Sequence, residues 1–192
     1  MTRVVGGHAR GRRLRVPGGG TRPTSDRARE GLFSALEAAL GPLTGRRVLD
    51  LYAGSGAVAI EALSRGASHA LLVERDAGAV AVVRHNLDEA GLPGGQVIRL
   101  AVERLVAEPA PGPPYDVVFA DPPYSLPSDA LRAVLSDLLD HGWLAPGAVV
   151  VVERASRDPA WGWPDGFTAD RDRRYGEATL WYGHAAGGRA GA

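Results

Sequence analysis

Between residues 46 and 153 the chain alternates short apolar runs with longer segments of helical periodicity, and this alternation strongly limits the folds open to it. The apolar runs have the length of strands and lie at residues 46–51, 69–73, 96–100, 115–120 and 148–153. The helical segments between them lie at residues 57–64, 77–90 and 128–140, with a shorter one after residue 101. Because strands joined through helices pair in parallel, the pattern predicts an α/β fold whose mainly parallel sheet is covered by helices on both faces.

Two more strand-like runs, at residues 167–174 and 178–183, follow the alternating region. They predict a terminal antiparallel pair, which brings the sheet to seven strands. A chain of 192 residues is long enough for one well-buried domain and short for two. We therefore expect one main domain at residues 21–184, a small hairpin extension at residues 1–20 and a disordered tail at residues 185–192.

The first strand leads into a glycine turn, Gly54-Ser55-Gly56, and a helix begins directly after it. Glycines let the backbone approach a ligand closely, and the free amides at a helix N-terminus face the same place. The second strand ends in Glu74, 18 residues after Gly56. A carboxylate there can accept hydrogen bonds from both ribose hydroxyls of an adenosine cofactor. The turn and the acid together predict a cofactor site at the carboxyl edge of the sheet.

The fourth strand is followed by Asp121-Pro122-Pro123-Tyr124. Neither proline has an amide hydrogen and each restricts the residue before it, so the backbone here is stiff and extended with its carbonyls unpaired. A carboxylate, a rigid carbonyl and an aromatic ring are suited to holding a planar base that bears an exocyclic amino group, since the oxygens accept its protons while the ring stacks. The alternative interpretation is a proline-rich turn with a surface tyrosine.

The formal net charge of zero conceals an uneven distribution. Residues 1–29 hold eight arginines and one acid, a balance of +7, whereas residues 30–192 hold 14 arginines and 21 acids, a balance of −7. Residues 3–8 and 12–16 predict two strands of a hairpin, in which Arg13 and Arg15 alternate with apolar residues and can face a polyanion. A solvated hairpin whose charges only prevent aggregation is the alternative. A glycine-rich hinge at residues 17–20 suggests that little core would be lost on deleting the hairpin.

A helix is predicted after the hinge, capped by Thr24, Ser25 or Asp26, with apolar residues four apart at positions 28, 32, 36 and 40. Three arginines stand at its entrance, where the helix dipole disfavours positive charge. The entrance arginines are Arg22, Arg27 and Arg29. An anionic ligand nearby would account for them, and so would ion pairs with the acids at positions 26 and 30.

The chain contains no cysteine, which excludes disulfides, thiolate nucleophiles and cysteine-based zinc sites and fits a reducing cytoplasm. No apolar run approaches the length of a membrane span, and the first residues lack the apolar segment of a secretory signal. We expect a cytoplasmic protein with no metal and no membrane partner.

Three sets of residues resemble class I S-adenosylmethionine-dependent methyltransferases across roughly residues 46–183. They are the run from Val48 to Gly56, Glu74, and the tetrapeptide from Asp121 to Tyr124. The opening residues 4–14, Arg22-Pro-Thr24 and Asp26-Arg27 are similar to the start of the bacterial 16S rRNA guanine-N2 methyltransferases called small-subunit methyltransferase D. The resemblance implies a Rossmann-like class I methyltransferase fold, with S-adenosylmethionine as cofactor and 16S rRNA as partner.

The same resemblance implies a role for each site residue. Gly54, Ser55 and Gly56 pass beneath the methionine part of the cofactor, Asp50 sits below its amino group and Glu74 holds its ribose. The whole cofactor-binding set is Asp50, Tyr52, Ala53, Gly54, Ser55, Gly56, Glu74, Arg75, Ala101 and Val102. The catalytic set is Asp121, Pro122, Pro123 and Tyr124. The RNA-binding set is Arg3, Arg10, Arg12, Arg13, Arg15, Arg22, Thr24, Arg27 and Arg29.

Two positions depart from the pattern of the class. Tyr52 stands where many class I enzymes have glycine, and Ala101 stands where an acid often contacts the adenine of the cofactor. The adenine contact then passes to a backbone amide near Val102 or to Glu103.

The implied reaction is direct methyl transfer to the N2 amine of a guanine in the small ribosomal subunit, by a monomer acting on an assembly particle. An adenine-N6 methyltransferase on DNA or RNA is the nearest alternative, because the tetrapeptide serves the amino group of either base. A dinucleotide-dependent oxidoreductase would share the fold, but the usual three-glycine fingerprint is missing. An RNA-binding module without catalysis would use the hairpin alone.

Overall fold

The computed structural model describes residues 2–18 and 25–186. Within these ranges the strands are β1 (Thr2–Arg3), β2 (Arg13–Leu14), β3 (Arg47–Leu51), β4 (His69–Glu74), β5 (Gly95–Arg99), β6 (Tyr115–Ala120), β7 (Leu144–Ala155), β8 (Phe167–Tyr175) and β9 (Ala178–Ala185). The helices are α1 (Asp26–Leu40), α2 (Ala57–Ser64), α3 (Ala77–Ala90), α4 (Val102–Val106) and α5 (Ser128–Asp140). The elements predicted from the sequence are all found, and most ends agree within two residues.

Seven strands form one sheet in the order β5-β4-β3-β6-β7-β9-β8. The five strands from β5 to β7 are parallel, whereas β9 pairs antiparallel with both β7 and β8. The predicted mostly parallel sheet with a terminal antiparallel pair is therefore confirmed. The chain runs from β3 outward in one direction and then returns to place β6 on the other side of β3. In sheets of this type, ligands bind at that reversal, beyond the carboxyl ends of the strands.

Helices cover both faces of the sheet because the strand residues alternate between two apolar clusters. Leu49 and Leu51 pack on the side of α4 and α5, while Val48 packs on the side of α1, α2 and α3. Helix α1 is capped by Ser25, whose side chain accepts a hydrogen bond from the amide of Ala28 at 3.1 Å. Of the residues predicted for its apolar face, Ala28, Leu32 and Leu36 are buried and Leu40 is half-buried.

The N-terminal hairpin is shorter than predicted and more firmly attached. Its paired strands have two residues each, and the backbone after Val4 runs along α2 instead of continuing the ladder. Val4, Ala9 and Leu14 are buried in a cluster with three residues of α2 and α3, which are Ala57, Ile60 and Ala90. The expectation that deleting residues 1–20 would cost little core is therefore wrong, because those three side chains cover apolar surface of the main domain.

Strand β7 begins four residues earlier than predicted, and β9 extends through Ala185, the first residue of the predicted tail. The rest of that tail, from residue 187, lies outside the described residues, as do Gly19 and Gly20 of the predicted hinge. Within the part of the chain that the structure describes, no helix is long and apolar enough to cross a membrane.

Candidate active site

A cavity of about 520 Å³ lies at the reversal point of the sheet and is lined by residues that follow β3, β4, β5 and β6. This volume lies within the range of roughly 300–1,000 Å³ that is typical of small-molecule sites. The predicted residues on its wall are Asp50, Tyr52, Ala53, Gly54, Ser55, Glu74, Arg75, Val102, Asp121, Pro122, Pro123 and Tyr124. The structure thus brings the predicted cofactor and amino-group motifs to one site. Gly56 and Ala101 are adjacent in sequence to the lining residues without being among them.

The turn after β3 needs left-handed backbone at three positions. Gly54 and Gly56 have φ angles of 56° and 76°, and Tyr52 has a φ of 62° although it carries a side chain. A residue with a side chain destabilises this left-handed backbone by about 1–2 kcal/mol relative to glycine. This cost explains why many class I enzymes have glycine at the position of Tyr52. At Gly56 a Cβ atom would also lie 2.9 Å from Cδ2 of Leu72, so the turn packs directly on β4.

Glu74 is fixed by the backbone on both of its oxygens. Oε2 accepts a hydrogen bond from the amide of Gly54 at 3.0 Å, and Oε1 accepts one from the amide of Asp76 at 2.8 Å. Each carboxylate oxygen can accept a second hydrogen bond. Glu74 therefore ties the glycine turn to the end of β4 and keeps acceptor capacity at the cavity wall.

Asp50 lies under the turn, almost fully buried, and its Oδ2 accepts a hydrogen bond from the amide of Ala59 at 3.2 Å. Burial raises the pKa of Asp50 to about 8, assisted by the negative charge of Glu74 and opposed by the hydrogen bond from Ala59. A cationic group bound beside Asp50 would favour its charged form and lower that pKa. The position therefore suits the amino group of an amino-acid ligand.

The tetrapeptide after β6 continues into a tight turn, in which the amide of Leu126 donates to the carbonyl of Pro123 at 2.8 Å. Arg154, at the end of β7, donates to the carbonyl of Leu126 at 3.2 Å and lies 3.5 Å from Asp158. Arg154, which is paired with Asp158, therefore holds the loop after the tetrapeptide from outside the cavity.

Burial raises the pKa of Asp121 well above its ordinary range, and the negative charges of Glu153 and Asp50 add to the effect, while Arg154 opposes it. A carboxylate with a raised pKa is a stronger proton acceptor. Among the described residues, Tyr124 is the one large hydrophobic side chain that is mostly exposed, at 64%. The site thus joins a shielded acid to an aromatic ring open to solvent.

Leu100, Val102 and Glu103, which follow β5, also line the cavity wall. The hydroxyl of Tyr52 donates to Oε1 of Glu103 at 3.3 Å. Ala101 caps α4 without a side-chain hydrogen bond. Val102 and Glu103, which were predicted to contact the adenine in place of Ala101, therefore both line the cavity.

The predicted RNA-binding residues fall into three groups. Arg3, Arg10, Arg12, Arg13 and Arg15 are exposed on the hairpin, and Arg27 is exposed at the start of α1. Arg22 and Thr24 lie outside the described residues. None of these six exposed arginines lines the cavity, but Val16, Pro17 and Gly18, which follow Arg15 directly, do.

The prediction that Arg29 contacts RNA is wrong, because its side chain is fully buried. It donates to the hydroxyl of Thr2 at 2.9 Å, to Asp26 at 2.8 Å and to the carbonyl of Arg3. Glu61, also fully buried, lies 3.9 Å from its Nε. Arg29 therefore fastens the N-terminal strand to α1 instead of facing a ligand.

Sequence reasoning missed Asn86 of α3, which is 1% exposed and hydrogen-bonded to Ser55 and Arg15. The available signal was an amide side chain on the helix face that Val83 and Ala90 make apolar. Among the residues that the structure describes, no cluster of three or more histidines or acids could hold a metal ion.

A seven-stranded sheet of this order, with a glycine turn after β3, an acid at the end of β4 and the Asp-Pro-Pro-Tyr loop after β6, defines the class I methyltransferase fold. The family described as Conserved hypothetical protein 95 matches residues 2–184. The chain belongs to this family. It is also similar to ribosomal RNA small subunit methyltransferase D of Escherichia coli K12, to which it is 38% identical over 152 residues, 79% of this chain and 73% of that protein.

Solved structures agree with this placement. The protein yhhF from Escherichia coli superposes with a TM-score of 0.82 at 33% identity and covers 97% of this chain and 98% of its own. The protein TTHA0928 from Thermus thermophilus has a TM-score of 0.78 at 36% identity, over 95% and 98% of the two chains. The likeness therefore includes the N-terminal hairpin as well as the methyltransferase domain.

Proposed function

We propose that the chain transfers a methyl group from S-adenosylmethionine to the exocyclic N2 amine of a guanine in 16S rRNA. The observation that carries the proposal is that the glycine turn with Glu74 and the Asp121 loop line one cavity. The Escherichia coli relative, named ribosomal RNA small subunit methyltransferase D, supports an rRNA substrate.

The residues of the cavity fit S-adenosylmethionine. Asp50 would pair with the amino group of its methionine part, Glu74 would accept the ribose hydroxyls, and the wall at Val102 and Glu103 would meet the adenine. Tyr52, Ala53, Gly54, Ser55 and Arg75 complete the wall between these points. When bound, S-adenosylmethionine supplies a methyl group on a sulfonium that is already an activated leaving group, so no covalent enzyme intermediate is needed.

The Asp121 loop would prepare the amine. In free guanine the lone pair of this nitrogen is delocalised into the ring, and acceptors that draw its protons favour a pyramidal nitrogen. The Asp121 carboxylate and the Pro122 carbonyl would accept these protons, and Pro123 keeps the carbonyl direction fixed. The Asp121 carboxylate would then take the proton that the methylated nitrogen releases.

The base must leave its stack to reach this loop, since the chemistry is at a base edge. Tyr124, exposed at the mouth of the cavity, would stack on it. The exposed arginines Arg3, Arg10, Arg12, Arg13, Arg15 and Arg27 would bind phosphates around the target. We further propose that a cytoplasmic monomer acts on a small-subunit assembly particle, with Arg22 and Thr24 contributing to RNA binding and Gly56 and Ala101 supporting the cofactor site.

Mass spectrometry of 16S rRNA nucleosides from cells with and without the gene tests the proposal. The expected result is loss of one N2-methylguanosine. Loss of an N6-methyladenosine would assign the chain to the adenine methyltransferases instead. An unchanged set of modified nucleosides would contradict rRNA methylation altogether.

A further inference from the structure

One buried side chain connects the N-terminal hairpin to the cofactor turn. The side-chain nitrogen of Asn86 donates to the carbonyl of Ser55 at 2.8 Å and to the carbonyl of Arg15 at 2.9 Å. Its Oδ1 accepts a hydrogen bond from the amide of Arg15 at 2.8 Å. Asn86 therefore holds both the amide and the carbonyl of Arg15. The same side chain also holds the glycine turn, through the carbonyl of Ser55.

The position of Arg15 makes this link informative. Its own side chain is exposed beside Arg13, where it can meet RNA, while the next three residues, Val16, Pro17 and Gly18, line the cofactor cavity. A displacement of β2 would therefore move the cavity wall and, through Asn86, the carbonyl of Ser55. The nitrogen of Asn86 donates to both segments, and its oxygen accepts from one of them, so three of the four hydrogen bonds that its amide can make join the hairpin to the turn.

We propose that Asn86 is a positioning residue that couples the RNA-binding hairpin to the cofactor turn, so that occupation of the cofactor site strengthens RNA binding. The inference rests on the proposed function. A bound cofactor packs against the turn and against Val16, Pro17 and Gly18, which fixes the backbone at Arg15. An already fixed hairpin loses less conformational freedom when it binds RNA. By thermodynamic reciprocity, bound RNA strengthens cofactor binding by the same factor.

The hydrogen bonds that hold residues 5–9 of the hairpin to α2 involve side chains outside the cavity lining and supply a control. Glu61 accepts hydrogen bonds from the amides of Val5 and Gly6 at 2.6 and 2.7 Å. The hydroxyl of Ser64 donates to the carbonyl of Gly6 at 2.6 Å and accepts from the amide of Ala9 at 2.9 Å. Neither Glu61 nor Ser64 lines the cavity. Ser64→Ala therefore loosens the hairpin while leaving the contact between Asn86 and Ser55 in place.

The test measures the dissociation constant of the protein for small ribosomal subunits, purified from cells that lack the gene, with and without saturating S-adenosylhomocysteine. In the wild type, S-adenosylhomocysteine should lower the dissociation constant for the small subunit at least about fivefold, which is the lower end of typical coupling between two sites. In Asn86→Ala this ratio should fall to about one, whereas Ser64→Ala should keep the wild-type ratio even if its affinity is lower. A wild-type ratio of one, or an unchanged ratio in Asn86→Ala, would overturn the coupling.

Hydrogen exchange on the wild-type protein gives a second measurement that does not depend on a variant's folding. S-adenosylhomocysteine should slow exchange at residues 12–18 as well as at the glycine turn, and should leave residues 3–9 unchanged. Slowed exchange at the turn with no change at residues 12–18 would refute the link through Asn86. If the nucleoside fails to bind at all, the proposed function fails instead, so the two failures are distinguishable.

Discussion

At the scale of single residues, Asp121 is the group on which the proposed chemistry depends. We expect Asp121→Ala to keep its affinity for S-adenosylhomocysteine and to lose methyl transfer by two to three orders of magnitude, roughly the effect of removing one preorganised polar contact. Single-turnover rates and calorimetry separate the two properties. Asp140→Ala, which removes an exposed acid at the end of α5, is the matched control. Methylation at the wild-type rate by the Asp121 variant would remove the loop from the mechanism.

Glu74 is proposed to hold the ribose of the cofactor. Its replacement by alanine removes charge-assisted hydrogen bonds and should weaken cofactor binding by about 2–3 kcal/mol, with the fold retained. Because both oxygens also hold backbone amides, at Gly54 and Asp76, part of that loss would come from a looser turn. Glu74→Gln separates the contributions, since it keeps one acceptor oxygen. An unchanged dissociation constant in a folded Glu74→Ala protein would contradict the assignment.

Asp50 makes stability depend on pH. Its pKa is raised by burial from an ordinary 3.8 to about 8, so between these values the folded protein holds a proton that the unfolded chain releases. Stability is therefore highest below pH 4 with respect to this group and falls as pH rises toward 8, by at most about 1.4 kcal/mol per pH unit.

Asp50→Asn removes this titration. The difference in free energy of unfolding, variant minus wild type, should increase between pH 5 and pH 8 when both proteins are unfolded with urea in the absence of cofactor. A difference that does not change with pH would show that Asp50 is ionised in the folded protein throughout this range.

At the scale of elements, the hairpin is the feature to which we assign RNA binding, separate from the proposed cofactor site. Arg10, Arg13 and Arg15 are exposed, whereas Arg12 donates to the carbonyl of Glu89 and Arg3 pairs with Asp26. Replacing the first three with alanine therefore removes charge with the least change in packing. The slope of log affinity against log salt should fall by about 0.7–0.9 for each phosphate that the variant no longer neutralises.

The control for that experiment is an equal loss of charge elsewhere on the surface. Arg99, Arg104 and Arg173 are exposed on β5, α4 and β8. Their replacement by alanine should leave the salt dependence of subunit binding nearly unchanged. An equal effect from both triple variants would indicate general electrostatic attraction and return the hairpin to a structural role.

The hairpin also shows where sequence reasoning reaches its limit. Helices α2, α3 and α5 begin and end where their apolar spacing predicted, because that spacing is a local property of the sequence. The backbone at Val5 and Gly6, predicted as part of a strand, instead donates hydrogen bonds to Glu61, 55 or more residues away, and no local pattern encodes that contact. The burial of Arg29 has the same cause, because its partners at Thr2 and Glu61 meet it only in the folded chain.

At the scale of the whole molecule, the alternation of strands and helices was sufficient to predict a parallel sheet and to bring Gly54, Glu74 and Asp121 to one edge. This worked because each of these residues directly follows or ends a strand, and parallel strands point their carboxyl ends the same way. The roles of Asn86 and Val16 could not be predicted in this way, since they depend on how the N-terminal segment packs against α3.

The most direct test of the account follows the methyl group itself. Purified protein, S-adenosylmethionine with a deuterated methyl group and small subunits from cells lacking the gene are combined, and the nucleosides of the 16S rRNA are analysed by mass spectrometry. The account predicts one labelled N2-methylguanosine per 16S rRNA with the wild type and almost none with Asp121→Ala. Absence of the label from guanosine in the wild-type reaction, or equal labelling by the Asp121 variant, would contradict it.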